Sequence, residues 1–290
     1  MLVHHHSTPT LPTRVVVLGA GGFVGGAIVR RLLADRIAVL PLTRNDVNLM
    51  EADACEKLRT ILRPTDSLVF VSAVAPAKTV PMLMQNLRMA EVVCEVLSSM
   101  TVAHLVYVSS DAVYADDANP VRECSPIAPT TLHGLMHAAR ELMLKSSTQA
   151  PVACLRPTLI YGSLDPHNGY GPNRFRRQAA KGESIQIFGE GEEQRDHVLV
   201  DDVARVVSLV VAARSSGALN VVTGVSTSFK RIADMIASQF GVDVVSQPRP
   251  GPRPHLLHRF FDITQIHKAF PTFQCTPLEQ GLEQARKGAE

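Results

Sequence analysis

The sequence predicts an α/β fold, in which a doubly wound parallel sheet carries a small C-terminal substrate-binding cap. Two observations support this prediction. Short apolar runs rich in β-branched residues alternate along the chain with segments of helical spacing, which is typical of parallel strands covered by helices on both faces. The first apolar run, at residues 15–18, ends in a glycine-rich turn that leads directly into a helix.

The glycine-rich turn has the spacing that brings a backbone close to a ligand. Its glycines stand three residues apart, so the helix can pack on the strand without an intervening side chain. The amides at the helix start suit a pyrophosphate, and the Lys of nucleoside triphosphate loops does not follow. A redox dinucleotide is therefore favoured over ATP, although such glycines also mark turns that bind nothing. The turn residues expected at the cofactor are Gly19, Gly22, Phe23, Val24 and Gly25.

The other elements follow from the same patterns. Strands are expected at 37–42, 67–71, 105–108, 152–155 and 218–222, and helices at 52–62, 81–99, 130–147, 201–213 and 229–240. Beyond Pro157 a loop rich in Gly and Pro, at 162–173, is expected to contribute to function. We expect a disordered lead-in at 1–12, a dinucleotide-binding domain at 13–161 and 197–224, and a substrate-binding cap at 162–196 and 225–290.

Composition argues against several classes of protein. The net charge of +2 gives no reason to expect nucleic acid or an anionic membrane as a partner. No apolar run approaches the roughly 20 residues of a membrane span. The 5 cysteines are odd in number, widely spread and without a C-x-x-C pair, so they predict reduced thiols in a cytoplasmic protein.

The end of the second strand bears on the choice of cofactor. In dinucleotide folds an acidic residue there hydrogen-bonds the ribose 2′-hydroxyl, whereas an Arg accommodates a 2′-phosphate. Here Thr43 and Arg44 follow the strand, and no acid stands in that place. The pattern tilts the cofactor, NAD(P), towards NADP. The alternative is that Arg44 is a solvated loop charge.

A series of motifs stands in a fixed order along nearly the whole chain. They are Gly19-x-x-Gly22-x-x-Gly25, Val71-Ser-Ala-Val-Ala75, Asn86, Ser109-Ser-Asp-Ala-Val-Tyr114, Leu155-Arg-Pro-Thr-Leu-Ile-Tyr-Gly162, Ile187-Phe-Gly-Glu-Gly191, Arg195-Asp-His-Val-Leu-Val-Asp-Asp-Val203 and Gly217-Ala-Leu-Asn-Val221. Each motif is weak alone, but the ordered set is specific. It resembles the extended short-chain dehydrogenase/reductases of the NAD-dependent epimerase/dehydratase family, whose sheet is of the Rossmann type.

This resemblance implies a nicotinamide dinucleotide on the sheet domain and a nucleotide sugar under the cap. It places Ala73 at the cofactor and Ser110 and Asp111 at the substrate. It also places Arg195 on the diphosphate of the sugar nucleotide, with Arg253 as a second contact. Ser110 and Asp111 could instead cap local turns. The resemblance leaves a homodimer open.

One departure from the family pattern concerns the catalytic pair. The family has Tyr-x-x-x-Lys at the start of the helix after the fourth strand, with Tyr as general acid/base and Lys holding the nicotinamide ribose. This sequence has His133 and His137 there, and Glu141 matches the usual downstream acid. The two histidines share a helical face, so they can work as acid/base and ribose clamp. They could also chelate a metal ion, although no third ligand is visible, or fill space in a protein that has lost catalysis.

We therefore expect an NAD(P)-dependent oxidoreductase, epimerase or dehydratase that acts on a nucleotide sugar by hydride transfer through a keto intermediate. The expected catalytic residues are Ser110, Asp111, His133 and His137, with His137 also at the cofactor and no metal ion. The alternative is a catalytically impaired dinucleotide-binding protein with a regulatory or scaffold role.

Overall fold

The computed structural model describes residues 1–116, 119–249, 251 and 257–288. Its strands are β1 (Val3–His4), β2 (Arg14–Leu18), β3 (Val39–Leu42), β4 (Asp66–Phe70), β5 (His104–Val108), β6 (Val152–Pro157), β7 (Leu159–Tyr161), β8 (Ile185–Phe188), β9 (Gln194–Leu199), β10 (Ser215–Val221), β11 (Ser226–Ser228) and β12 (Val244–Gln247). Its α-helices are α1 (Phe23–Ala34), α2 (Ala54–Ile61), α3 (Val80–Ser99), α4 (Leu132–Ser146), α5 (Pro172–Ala180), α6 (Val200–Ala212), α7 (Phe229–Phe240), α8 (Thr264–Ala269) and α9 (Leu278–Lys287).

The main sheet has seven strands in the order β1-β10-β6-β5-β4-β2-β3. Every neighbouring pair is parallel except β1 and β10. Successive residues of β2 point to opposite faces: Val15 and Val17 join one buried cluster with α1 and α6, and Val16 and Leu18 join another with α2 and α3. A strand buried on both faces is what a doubly wound sheet requires. The predicted fold class is confirmed.

The cap has a core of its own. Phe175 of α5, Ile185 of β8 and Phe229 of α7 are buried in one cluster with Leu282 of α9. Neither α5 nor β8 was predicted from the sequence. The C-terminal part of the chain does not lie wholly in the cap, because Ile266 of α8 packs in the main-sheet cluster.

The prediction of a disordered lead-in at 1–12 is wrong for its first residues. Val3 and His4 form β1, which pairs with Ser216 and Ser215 at the edge of the main sheet. The ring of His4 lies 2.7 Å from the Ser215 hydroxyl and 3.0 Å from the carbonyl oxygen of Ala269. Gly217 makes room for this strand, since a Cβ there would lie 2.1 Å from the carbonyl oxygen of Met1.

Two further properties concern the chain as a whole. In the described part of the chain, every helix is too short or too polar to cross a membrane. All five cysteines are free thiols, as their spacing predicts.

Candidate active site

The glycine-rich turn joins β2 to α1 along a path that only small residues can follow. Gly19 has a φ of +106°, and a Cβ there would lie 2.7 Å from the backbone nitrogen of Ser72. A Cβ on Gly25 would lie 2.1 Å from the carbonyl oxygen of Gly19, so the helix packs directly on the turn. Gly22 caps α1 without a side-chain hydrogen bond, and the first helical turn holds no acidic residue. The amides of that turn are therefore oriented and uncompensated, as an anion site requires.

A cavity of about 410 Å³ opens in front of this turn, and we call it the turn cavity. It brings together four residues that the sequence predicted at the cofactor, namely Gly19, Gly22, Arg44 and Ala73. Phe23 and Val24 form the first turn of α1 and do not line the cavity with their side chains. The Phe23 ring lies against Gly162, where a Cβ would come within 3.1 Å of it.

Among the described residues that line the turn cavity, Arg44 is the only charged one. Arg44 is exposed, and among the residues that the structure describes it forms no ion pair. Asp46, two residues on, accepts hydrogen bonds from the Thr43 amide at 2.8 Å and the Thr43 hydroxyl at 2.7 Å. These bonds lower the pKa of Asp46, so it is ionised at neutral pH. The sequence pattern missed this carboxylate because Asp46 does not stand at the strand end itself. A turn of the chain brings its side chain back to Thr43.

A second cavity, of about 320 Å³, lies between the main sheet and the cap, and we call it the arginine cavity. Its polar lining consists of Asp111, Asp116, Thr130, Thr131, Thr158, Arg195, Asp196 and Arg259. Arg195 donates to the carbonyl oxygens of Gln194 at 2.8 Å and Leu257 at 3.2 Å. Burial lowers the pKa of the Arg195 guanidinium, and Glu193 opposes that change. Burial raises the pKa of Asp196 to about 6, although hydrogen bonds from Thr223 and Gly224 oppose the rise.

The second arginine of this cavity is Arg259, which the sequence did not predict. Its Nε lies 3.3 Å from Oδ2 of Asp111, and its Nη2 donates to the Asp111 carbonyl oxygen at 3.0 Å. Burial raises the pKa of Asp111, while the Arg259 charge pulls it down. Arg253, the predicted second contact, lies outside the described residues. Arg259 follows the proline-rich stretch by five residues, and no local pattern in the sequence marks it as a ligand.

Ser110 has the local role that the sequence left open. Its hydroxyl oxygen caps the short 3-10 helix Asp111–Val113 by accepting from the Ala112 amide at 3.1 Å. Asp111 lines the arginine cavity, but Ser110 lines neither cavity. A substrate contact through Ser110 therefore stays a prediction.

The two histidines lie one turn apart at the start of α4. Thr131 caps this helix by accepting from the Gly134 amide at 3.1 Å. A Cβ on Gly134 would lie 2.0 Å from the carbonyl oxygen of Ala112, so glycine is needed for α4 to approach the 3-10 helix. The rings of His133 and His137 meet edge to face, with centroids 4.7 Å apart. They line neither cavity, but Thr131 beside them lines the arginine cavity.

Each histidine has one ring nitrogen bound to the protein. Nδ1 of His133 accepts from the Ala77 amide at 3.4 Å, and Nδ1 of His137 lies 2.7 Å from the Tyr107 hydroxyl. Within the described residues, no hydrogen bond reaches either Nε2. Burial lowers the pKa of both imidazoles, and for His137 the charges of His133 and Arg140 lower it further. Both rings are therefore neutral at pH 7.

Behind His137 lies a buried arginine that the sequence did not predict. Arg140 donates through Nε and Nη2 to the Asn86 carbonyl oxygen, at 2.9 and 2.6 Å, and through Nη1 to the Ser72 carbonyl oxygen at 2.8 Å. Its guanidinium also lies over the ring of Phe70, 4.9 Å from the centroid. The side chain is fully buried, and within the described residues it pairs with no carboxylate. It follows His137 by three positions, which was the only signal in the sequence.

The neighbouring polar residues are used by the protein itself. Glu141 accepts from Ser109 at 2.8 Å and from Nε and Nη2 of Arg156 at 2.8 and 2.7 Å. Arg156 also donates to the Tyr114 hydroxyl at 2.8 Å. Asn86 exchanges two hydrogen bonds with the backbone of Val74 and so ties α3 to the segment after β4. These contacts give Ser109, Glu141 and Asn86 structural roles.

The metal alternative for the two histidines also needs a third ligand. The residues described in the structure contain no group of three or more His, Cys, Asp or Glu side chains placed to hold a metal ion. Gly134 stands between the histidines against Ala112, so it offers no ligand either.

Comparison with known proteins agrees with the fold and with the order of these elements. The sequence model of the NAD dependent epimerase/dehydratase family matches residues 15–222, which include both cavities' main-sheet residues and both histidines.

Individual relatives cover most of the chain. The UDP-glucose 4-epimerase of Mycolicibacterium smegmatis is 28% identical over 261 residues, which is 79% of this chain and 83% of the relative. The dTDP-4-dehydro-6-deoxy-D-allose reductase of Streptomyces bikiniensis is 24% identical and covers 94% of this chain and 95% of its own. Among solved structures, a GDP-L-fucose synthetase from Naegleria fowleri bound to NADP is 18% identical and superimposes with a TM-score of 0.83. That comparison covers 97% of this chain and 95% of the other.

Proposed function

The chain belongs to the NAD dependent epimerase/dehydratase family, and we propose that it is an NAD(P)-dependent enzyme acting on a nucleotide sugar by hydride transfer through a keto intermediate. The observation that carries the proposal is the position of α4 between the two cavities. Its cap residue Thr131 lines the arginine cavity, and its Arg140 donates to the carbonyl oxygen of Ser72, which lines the turn cavity. A helix between a dinucleotide site and a substrate site is where a proton-transferring residue is needed.

The residues of the turn cavity fit a dinucleotide. The close approach of Gly19 to Ser72 and of Gly25 to Gly19 leaves the first-turn amides of α1 open to a pyrophosphate. Arg44 at the rim would hold a 2′-phosphate, which favours NADP, whereas the nearby Asp46 would favour the ribose hydroxyl of NAD. When bound, the dinucleotide would take up the hydride and return it.

In the proposed reaction His133 exchanges the proton of the substrate hydroxyl. It takes that proton as the hydride leaves the same carbon, and it returns the proton when the hydride comes back. To accept at Nε2, the neutral ring must carry its own proton at Nδ1 and give up the bond from Ala77. That bond is 3.4 Å long and therefore weak, so His133 can change tautomer at little cost. His137 would hold the nicotinamide ribose.

The arginine cavity suits a diphosphate. Arg195 and Arg259 bring two guanidinium groups to one cavity, and each is held in place by backbone carbonyl oxygens. Planar guanidinium groups bind phosphate oxygens in pairs, which fixes orientation as well as affinity. Asp111 and Asp196 lie beside them and would face the sugar hydroxyls. Whether the net reaction is epimerisation, dehydration or reduction depends on the sugar that this cavity accepts.

Thermal unfolding with free nucleoside diphosphates tests the substrate class. UDP, GDP, dTDP, CDP and ADP are added one at a time at millimolar concentration, and at least one should raise the Tm because it binds only the folded state. Arg195→Ala and Arg259→Ala should each abolish the rise while leaving NAD(P) binding intact. Arg59→Ala, a surface arginine near Glu95, is the matched control and should keep the rise. No rise with any of the five would count against a nucleotide sugar.

We also propose a homodimer formed by the outer faces of α3 and α4. These two packed helices expose four apolar side chains, Val80, Met84, Leu135 and Leu142, the last with 70% of its surface accessible. Contiguous exposed apolar side chains are typical of a protein interface. Sedimentation should give a dimer for the natural chain and a monomer for Leu142→Lys; a monomer in both cases would exclude the assembly.

The alternative function is a dinucleotide-binding protein without catalysis. The observation that favours it is the burial of a neutral His137, only 5% exposed, in the place of the family's Lys. The substitution of His133 described at the end of the Discussion distinguishes the two functions.

A further inference from the structure

The hydroxyl of Tyr107 stands between two groups of different character. On one side, 2.7 Å away, is Nδ1 of His137, which can donate or accept. On the other side is the Arg140 guanidinium, whose attraction opposes the rise that burial causes in the Tyr107 pKa. Tyr107 is fully buried at the centre of the sheet, and this burial raises its pKa, so it keeps its single proton at neutral pH.

The position of that proton follows from counting donors and acceptors. If the Tyr107 hydroxyl donates to Nδ1 of His137, its hydrogen is used and its oxygen faces the positive charge of Arg140. If Nδ1 donates instead, the Tyr107 hydrogen needs another acceptor. Within the described residues the only other hydrogen-bond partner of Tyr107 is Arg140, which donates and cannot accept, so the hydrogen would turn towards a cation. Leaving a buried donor unpaired makes this second arrangement the minor one by about tenfold or more.

We infer that Tyr107, oriented by Arg140, is a positioning residue that holds His137 in the tautomer with its proton on Nε2. A neutral imidazole has one donor and one acceptor nitrogen, so fixing Nδ1 as acceptor makes Nε2 a donor. Nε2 is the nitrogen without a partner among the described residues. On the proposed function, on which this step rests, Nε2 donates to a ribose hydroxyl of the dinucleotide. His137 would thus supply, without a charge, the hydrogen bond that an ammonium supplies in the family pattern.

The groups around His137 keep this arrangement constant with pH. Arg140 and His133 on its own helix both oppose a second proton on the ring, and Tyr107 on β5 occupies Nδ1. The carboxylate of α4, Glu141, is bound by Arg156, Ser109 and Lys145 and is not free to stabilise an imidazolium. In an ordinary exposed histidine, by contrast, one ring nitrogen donates and the other accepts above about pH 6.5, whereas both nitrogens donate below it.

Long-range nitrogen–proton NMR correlations on protein labelled in histidine test the inference directly. Signals of His137 are identified by their loss in His137→Gln. In the unliganded natural chain His137 should be the Nε2–H tautomer, with no titration between pH 5.5 and 8. In Tyr107→Phe this single tautomer should be lost. Tyr114→Phe is the matched control. It removes an equally buried hydroxyl, which donates to Asn220, and it leaves His137 untouched.

A proton on Nδ1 of His137 in the natural chain, or an unchanged tautomer in Tyr107→Phe, would overturn the inference. The ribose contact has its own readout: NAD(P) should bind up to about tenfold more weakly to Tyr107→Phe and equally to Tyr114→Phe. Equal binding to both variants would overturn the contact to the ribose. If no variant and not even the natural chain binds NAD(P), the proposed function fails, while the NMR result still decides the tautomer.

Discussion

Two adjacent residues of α4, Arg140 and Glu141, belong to buried networks of opposite design. The carboxylate network consists of Ser109, Glu141, Arg156 and Tyr114, and in it a buried negative charge meets a buried positive one at 2.7 Å. The histidine network consists of His133, His137, Tyr107 and Arg140. Its only charge is a guanidinium held by backbone carbonyl oxygens.

This difference between the two networks indicates which one supports the fold and which one is available for chemistry. Both oxygens of Glu141 accept hydrogen bonds from the protein, so the carboxylate network is complete by itself. The histidine network is incomplete, because within the described residues neither Nε2 has a partner. Neither Nε2 is among the fully buried side-chain atoms that lack a partner, so both remain able to bind a ligand. We therefore place the reacting groups on the His133 and His137 side of the helix, and the scaffold on the Glu141 side.

The largest expected effect comes from breaking the carboxylate network. Arg156→Met leaves the buried Glu141 with only Ser109 and the more exposed Lys145, 3.4 Å away, and the loss of one member of a buried ion pair costs about 3–5 kcal/mol. Denaturant unfolding should show this loss as a lower midpoint. The double variant Arg156→Met with Glu141→Met should recover much of it, since no buried charge is then unpaired and the charge of Lys145 is exposed to solvent. No recovery would mean that Arg156 acts through its contact with Tyr114 alone.

Removing Arg140 should cost less, because no carboxylate depends on it. Arg140→Met removes the side-chain donor to the carbonyl oxygens of Asn86 and Ser72, a loss of about 1–3 kcal/mol. It also removes one of the charges that lower the pKa of His137, so that pKa should rise. Arg156→Met and Arg140→Met are compared in the same unfolding experiment, which measures the difference in stability between the carboxylate network and the histidine network. A loss for Arg140→Met as large as that for Arg156→Met would contradict it.

A third expected effect concerns the choice of dinucleotide at the exposed Arg44. A charge-assisted hydrogen bond from Arg44 to a 2′-phosphate is worth about 1.5–3 kcal/mol, so NADP(H) should bind roughly tenfold or more tighter than NAD(H). Titration calorimetry with both cofactors measures this difference, and Arg44→Ala should erase it. Asp46→Asn is the matched variant, since it removes the opposing carboxylate and should raise the preference for NADP(H). Equal affinities in the natural chain would reject Arg44 as a phosphate ligand.

The sequence predicted the parts of the molecule that depend on local pattern. The spacing of Gly19, Gly22 and Gly25 is enough to place a strand, a turn and a helix, because glycine alone permits the contacts found there. The i, i+4 spacing of His133 and His137 likewise placed both rings on one face of α4.

Contacts between distant segments could not be predicted in this way. Tyr107 meets His137 because β5 passes beneath α4, and nothing near Tyr107 in the sequence marks that contact. Arg259 meets Asp111 across more than a hundred residues of chain for the same reason. The N-terminal strand was missed because its pattern is too short to be recognised, and it forms only against the edge of β10.

The most direct test of the assignment of chemistry to the histidine network is the reduction of bound NAD(P)⁺ by a nucleotide sugar, followed by the absorbance of the reduced nicotinamide. The natural chain should react with a sugar whose nucleoside diphosphate raises the Tm. Its oxidation rate should fall only below the ordinary histidine pKa of about 6.5, because burial lowers the pKa of His133 and a base must be unprotonated.

In this measurement His133→Ala should react about 10²- to 10⁴-fold more slowly while binding the dinucleotide as before. Its matched control is Ser146→Ala, which is exposed at the other end of the same helix, bonds only the Met143 carbonyl oxygen, and should react at the natural rate. A full rate in His133→Ala would contradict the assignment. A second pair of results would also contradict the assignment: the natural chain reacts with no nucleotide sugar, and the double variant His133→Tyr with His137→Lys does react. Those results would identify the natural protein as a binding protein.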